Sequence, residues 1–311
     1  MRNVPRVQAA LSTTKEDVDM PNLKDIRKRI GSVKNTQKIT RAMKMVAAAK
    51  LRRAQERMEA SRPYAVKMGE VIESLASRVD LESHPLLATR ELREKSLVIV
   101  VSSNRGLCGG FNSNLFRRID RFLKELVTAG ESVDVITVGR KAAGHYGRSD
   151  YPVVRGYDDV IGAIDYSRAK KIAQDAMADY LNGDYEAVYI CYNRFISAIA
   201  VEQMVHPLLP FATDGDGEAV DSFTSADYIY EPDVDTLLGR LLPGHIEVQV
   251  LQALLESDAS EQSSRMTAMD NATNNAKDMI ASLTLQYNRA RQAYITKEIV
   301  EIVSGSESLN S

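Results

Sequence analysis

Apolar residues recur along the first quarter of the chain with the period of a supercoiled helix. Alternate steps of three and four from Leu23 land on Ile26, Ile30, Val33, Gln37, Thr40, Lys44, Ala47, Leu51, Ala54, Met58, Ser61, Ala65, Met68, Ile72, Leu75 and Val79. All of these but Gln37, Thr40, Lys44 and Ser61 are apolar. Such spacing keeps one stripe of side chains on one face, the seam of a coiled coil, here with a polar interruption in its middle. From Leu23 to Arg62 the helix would extend roughly 60 Å, too long for a compact domain to hide. Pro63 is expected to kink or break it near Arg62, because proline has no N–H and crowds the preceding turn. The pattern returns at the other end of the chain. Met266, Met269, Thr273, Ala276, Ile280, Leu283, Tyr287, Ala290 and Tyr294 keep the spacing, followed by Ile295, Ile299 and Ile302. Pro243-Gly244 is expected to interrupt this helix early, and Gly305 with the serine-rich end to stop it.

Between these zones the period changes. Leu97 to Val101, Val133 to Val138 and Ala187 to Cys191 read as buried strands, and Ala198 to Val205 extends the strand pattern. Helical stretches lie between them at about 111–129, 140–147 and 165–182. Alternation of strand and helix predicts a small, largely parallel sheet. Neither terminal helix can bury its seam alone. The two are therefore expected to form a long antiparallel coiled coil with a Rossmann-like α/β domain inserted between them. The expected divisions are 1–19 as a disordered extension, 20–80 as the N-terminal coiled-coil helix, 81–232 as the α/β domain and 233–311 as the C-terminal coiled-coil helix.

Composition adds constraints. The 311 residues include 26% charged and 44% hydrophobic ones, and the formal net charge is −2, so no global field argues for nucleic acid. Cys108 and Cys191 stand apart without a CxxC motif, which points away from a disulfide framework. The apolar run Leu97 to Val101 is far too short to span a membrane. Residues 1–19 carry acids among their cations and lack the apolar core of a secretory signal.

Few segments suggest chemistry. Ser102 to Asn112 forms a glycine-rich loop between a strand and a helix, a place where backbone N–H groups can cradle phosphate. Walker spacing is missing, and GxGxxG cannot be drawn through Gly106, Gly109 and Gly110. A tight turn that packs a helix onto the sheet is the better reading. Cys108 has no base linked to it by motif, and His84, His145, His206 and His245 are scattered, so neither a catalytic thiol, a cofactor nor a metal site is proposed. Asp214-Gly215-Asp216-Gly217-Glu218 lacks the ligand pattern of a calcium loop and reads as a solvated turn. The anomaly is the first helix, where eleven cations stand between Lys24 and Arg53 against Asp25 alone. Solvated faces normally mix signs, so an unmixed one calls for an acidic partner. No aromatics interleave to stack on bases, which weakens the alternative of a coiled-coil protein bound to nucleic acid.

Four segments resemble one family. Lys34 to Lys50 (KNTQKITRAMKMVAAAK) resembles the N-terminal helix of F-type ATP synthase γ subunits, and Ser103 to Gly110 (SNRGLCGG) that family's central loop. Ser264 to Ala276 and Tyr287 to Glu298 resemble its C-terminal helix, all in the family's order. The resemblance implies a non-catalytic rotor shaft without cofactors, turning in a ring of α and β subunits, with its α/β domain near ε and the membrane c-ring and no span of its own. It places Met43 and Lys44 against an acidic loop of β, with Arg291, Gln292 and Thr296 contacting β from the other helix. Ile295, Ile299 and Ile302 would turn in an apolar sleeve. The implied location is the cytoplasmic face of a bacterial inner membrane, the mitochondrial inner membrane being the second reading. The cysteine-bearing redox insert of chloroplast relatives is missing.

Overall fold

The computed structural model describes residues 23–76, 84–88, 93–211 and 234–309. The extension at 1–19, seam position Val79 and the acidic cluster at 214–218 lie outside them. Two helices dominate, α1 (Leu23–Ala76) and, after three shorter helices, α5 (Val234–Leu309). The predicted seam holds. Every position from Leu23 to Leu75 in the three-four progression is buried or half-buried, while most residues between are exposed. On α5, Met266, Met269, Thr273, Ala276, Ile280, Leu283, Tyr287 and Ala290 are likewise covered, but Tyr294, the last position of the predicted run, is exposed.

Neither proline ends its helix. α1 runs through Pro63 and α5 through Pro243, and α5 also continues past Gly305. Pro63 is solvent-exposed, whereas Ser61 and Ala65 beside it are half-buried on the seam side. Burial of the seam on both sides of the proline outweighs a cost of about 3 kcal/mol for the lost hydrogen bond and the ring clash.

The helices belong to two compact units, Met1–Ile39 with Thr273–Ser311 and Thr40–Ala272. In the larger unit polar seam residues fix the register. Lys44 Nζ donates to Asp270 Oδ1 at 2.7 Å, and Ser61 Oγ donates to Gln252 Oε1 at 2.9 Å. Moving forward on α1 from Lys44 to Ser61 thus moves backward on α5, so the pair is antiparallel. Leu51, Ala54 and Ala259 are buried together between those two polar contacts. In the smaller unit Ile26 and Ala276 are the buried seam residues.

The larger unit also holds a five-stranded sheet in the order β3-β2-β1-β4-β5. β1 (Lys95–Val101), β2 (Ser132–Val138), β3 (Val153–Tyr157) and β4 (Ala187–Phe195) are parallel, and β5 (Val201–Leu209) pairs with β4 antiparallel. α2 (Phe111–Thr128), α3 (Arg140–Tyr146) and α4 (Tyr166–Leu181) match the predicted helices to within a residue or two. β3 is the strand the pattern missed, and β5 starts three residues later than its apolar signal.

Side-chain alternation on β1 splits the core in two. Val98 and Val100 pack with Leu115, Ile119 and Leu123 of α2 and Tyr146 of α3. Leu97, Ile99 and Val101 face the other way, into a cluster with Ile172 and Ala176 of α4. That second cluster also contains Ile72 and Leu75 of α1 and Leu238, Leu242, Ile246 and Val250 of α5. The sheet therefore uses the roots of both long helices as its second layer. Glu247 of α5 is buried there, accepting from Tyr166 and from Gln174 at 3.1 Å, both on α4.

Carried along the two continuous helices, the register sets Thr284 near Ile30. Truncation after Thr284 should expose residues 23–30 to fast hydrogen exchange, because a helix without its tertiary partner is marginal. Strand residues 97–101 should keep their protection. Unchanged protection of residues 23–30 would mean that α5 does not cover them.

Candidate functional site

The glycine-rich loop after β1 is built as a self-contained turn. Ser103 Oγ donates to the Arg105 carbonyl at 2.8 Å, Asn112 Nδ2 donates to Ser103 Oγ at 2.8 Å, and Asn112 Oδ1 accepts from the Ser103 amide at 3.2 Å. The amides of Arg140 and Ala142, at the start of α3, are taken by Asn104 Oδ1 at 3.0 Å and Ser102 Oγ at 2.7 Å. Those N–H groups at the N-terminus of α3 are thus satisfied by side chains of the loop itself. The loop's side chains are spent on its own turn and on the start of α3.

From the other side α5 holds the loop. Arg265 Nη2 donates to the carbonyls of Arg105 and Gly106 at 3.4 and 3.3 Å, while its Nη1 lies 2.7 Å from Glu261. Burial raises the Glu261 carboxyl above its usual range, opposed by the Arg265 charge. Between these anchors Leu107 adopts φ 62° and stands 65% exposed. Cys108 is buried, its thiol pushed up by desolvation and only partly drawn down by Arg265. A raised pKa is the opposite of what a thiolate nucleophile needs.

Two further hydroxyls bolt the sheet to α5. Ser260 Oγ donates to the Asn193 carbonyl at 2.9 Å and Ser263 Oγ to the Ala198 carbonyl at 2.6 Å. Asn193 is itself fully buried, donating to the Phe111 carbonyl and accepting from Gln203. No hydrophobic periodicity announces this joint. Its only trace along the chain is the run of small polar residues Ser257, Ser260 and Ser263 at helical spacing.

Of the residues predicted to touch a partner, Met43 is half-buried on α1 in the larger unit. Lys44 is half-buried beside it, and its ammonium pairs with Asp270 at 2.7 Å. Arg291, Gln292 and Thr296 are exposed on α5 in the smaller unit. Ile295, Ile299 and Ile302 share that segment and are 45%, 55% and 66% exposed. Tyr294, Val300 and Val303, outside the predicted set, are exposed beside them and widen the apolar face. Among the described residues no helix is long and apolar enough to cross a membrane, and no cluster of three metal-ligating side chains exists.

Comparison with known proteins decides the family. A family model described as ATP synthase matches residues 22–309. The ATP synthase gamma chain of Anaeromyxobacter dehalogenans (strain 2CP-C) is 49% identical over 293 residues, covering 93% of this chain and all of that one. The chain belongs to the ATP synthase γ-chain family. The gamma chain of Geotalea uraniireducens is 48% identical, over 93% of this chain and 99% of its own. Among solved structures, the central stalk and c-ring of the Tetrahymena thermophila mitochondrial ATP synthase aligns with TM-score 0.59 and 28% identity, over 75% of this chain and 99% of that one. The fold is shared with the Euglena gracilis mitochondrial ATP synthase OSCP/F1/c-ring structure, at TM-score 0.65, 21% identity and coverage of 92% and 94%. A γ-chain fold thus accounts for the long helices and the parallel-dominated sheet together.

The turn that joins sheet and loop can be tested at two glycines. Gly139 has φ 93°, and a Cβ there would lie 2.4 Å from the Ser102 carbonyl oxygen. Gly130 has φ 96° with open space around it. Gly139→Ala should destabilise by at least about 2 kcal/mol more than Gly130→Ala in urea unfolding, because only the first adds a backbone clash to the strain. Equal losses would show that the Ser102 turn relaxes freely.

Proposed function

We propose that this γ-family chain is the non-catalytic shaft of a proton-translocating F-type ATP synthase, carrying rotation of a membrane c-ring to the nucleotide sites of the β subunits. The observation that carries the reading is the end of α5, where Ile295, Ile299 and Ile302 stand exposed on a helix that no other described residue covers there. Burying such side chains is worth about 1.5–3 kcal/mol each, so they call for an apolar sleeve. A sleeve that must allow turning suits smooth apolar contact, since directional hydrogen bonds would hold one angle. The α and β subunits form that sleeve, and the α/β domain rests near ε and the c-ring, on the cytoplasmic face of a bacterial inner membrane. Whole-length identity of 49% to a bacterial gamma chain supports the bacterial setting.

Arg291, Gln292 and Thr296 touch β from α5, one helical turn or less from the bearing residues. Met43 touches β from α1. Lys44 touches β beside it, with its charge partly offset by Asp270. Arg41 and Arg53, exposed and without an ion pair among the described residues, supply attraction to an acidic loop of β. Because α1 and α5 differ in sequence, each β subunit meets a different face as the shaft turns, and its site is driven through successive conformations. The nucleic-acid alternative has no observation in its favour.

Met43→Lys tests the placement. A new ammonium at that contact, forming an ion pair of about 1–2 kcal/mol, traps one rotary state by roughly 5- to 30-fold. In assembled enzyme, ATP-driven proton pumping should fall by about that factor while the variant chain still assembles. Pumping equal to wild type would remove Met43 from the β contact.

A further inference from the structure

The solvent face of α2 carries a stripe of cations that no part of the shaft accounts for. Arg117, Arg121 and Lys124 recur at steps of four and three, so they share one helix face, and all three are exposed. Arg148, just after α3, is exposed beside the same hollow. None of the four has an ion pair among the described residues. Like charges at four-residue spacing destabilise a helix slightly, and exposed faces normally dilute them with acids. Two acids stand among them, the exposed Glu125 at the far end and Asp120, and Asp120 is already engaged. Tyr146 Oη donates to it at 3.1 Å, and His145 Nε2 lies 3.2 Å away.

The stripe lines a depression. Between α2 and α3 a cleft of about 610 Å³ is bounded by Phe116, Arg117, Asp120, Arg121, Lys124 and His145. Its floor is aromatic, with the His145 ring stacked on Phe116 at 4.4 Å and 10° and edge-on to Tyr146. A second hollow of about 860 Å³ lies past Lys124 and His145, where Asp134 and Asp150 stand with Arg148, so the cationic stretch ends at the first cleft. Three cations against the single acid Asp120, on an open groove with an aromatic floor, match a protruding chain that brings its own carboxylates. A lipid bilayer offers a plane of charge, which reaches the rim of such a groove but not its floor. Arginine pairs carboxylates in bidentate fashion, and two of the three stripe residues are arginines.

We propose that the α2–α3 groove is the docking site of an acidic protein segment whose carboxylates are spaced to meet Arg117, Arg121 and Lys124. The site lies in the larger unit and is independent of the shaft contacts at Met43 and on α5, so either assignment can fail without the other. Its contribution is chiefly electrostatic, which makes it salt-sensitive and sets orientation and capture more than total affinity.

Photo-crosslinking tests it in the assembled, membrane-bound enzyme. Benzoylphenylalanine replaces Arg117, Arg121 or Lys124 in turn, and the adducts are mapped by mass spectrometry. The groove should yield adducts with an Asp/Glu-rich protein segment. From the Arg121 position, yield should fall by about tenfold when Arg117 and Lys124 are both changed to Glu, and fall likewise on raising salt from low to high ionic strength. All three sites are exposed, so the variants retain the fold, as their circular dichroism checks. Adducts confined to lipid or nucleic acid, adducts with a segment lacking carboxylates, absence of any adduct from all three sites, or a yield indifferent to charge reversal would each overturn the proposal.

Discussion

A helix of heptad pattern leaves an apolar stripe that its own backbone cannot cover, and this chain has two such helices at its opposite ends. Covering each stripe with the other is the constraint from which the remaining structure follows. It forces the chain to return on itself, so whatever lies between the helices must begin and end at one place. The sheet occupies that place and uses the roots of α1 and α5 as its second layer, packing Leu97, Ile99 and Val101 against Ile72, Leu75, Leu242 and Ile246. Shaft and domain therefore share one core.

Polar residues in the seam set the register that apolar packing leaves loose. Seam contacts among alanines and leucines tolerate a shift of one heptad, whereas Lys44 with Asp270 and Ser61 with Gln252 match in one alignment only. The half-exposed ion pair adds about 0.2–1 kcal/mol at most, so its value lies in specificity more than in stability. Near the joint the same economy recurs, with Ser260, Ser263 and Arg265 reaching from α5 to backbone carbonyls of the sheet domain. Hydrogen bonds from a helix to carbonyls resist sliding along the helix axis, which apolar contact alone would permit. For a γ chain that transmits torque, this joint is as important as the shaft surface.

The seam was legible in the sequence because a helix packed along its whole length on another is what sustains three-four spacing over so many turns. Buried strands β1 and β2 were legible for a similar reason, as short runs of β-branched residues. β3 was not, since Val153 and Val154 face solvent at the sheet edge and the strand includes Arg155 and Gly156. The prolines misled for an identifiable reason. Proline's helix-breaking cost is local and fixed, whereas a long seam supplies packing on both sides of it, and only the partner helix reveals that supply. In the candidate site, the resemblance picked out Met43 and the apolar end of α5, and the structure shows Ile295, Ile299 and Ile302 exposed there. Lys44 was not readable as an internal ion pair, because Asp270 lies far away in sequence and sits beside the seam rather than on it. Ser260, Ser263 and Asn193 act through backbone carbonyls, which leave no complementary residue type in the sequence.

Antiparallel pairing of α1 and α5 is the claim on which all of this rests, and a pair of spin-label distances measures it directly. Labels at the exposed positions Arg41 and Asn271 should lie close, since packed helix axes are about 8–10 Å apart and Lys44 already touches Asp270. A second pair of labels, at the exposed Arg57 and the half-buried Asp258, should lie equally close, while Arg57 and Asn271 should be about 13 Å farther apart than Arg41 and Asn271. A short Arg41–Asn271 distance beside an Arg57–Asp258 distance of about 40 Å would mean a parallel pair and contradict the antiparallel register.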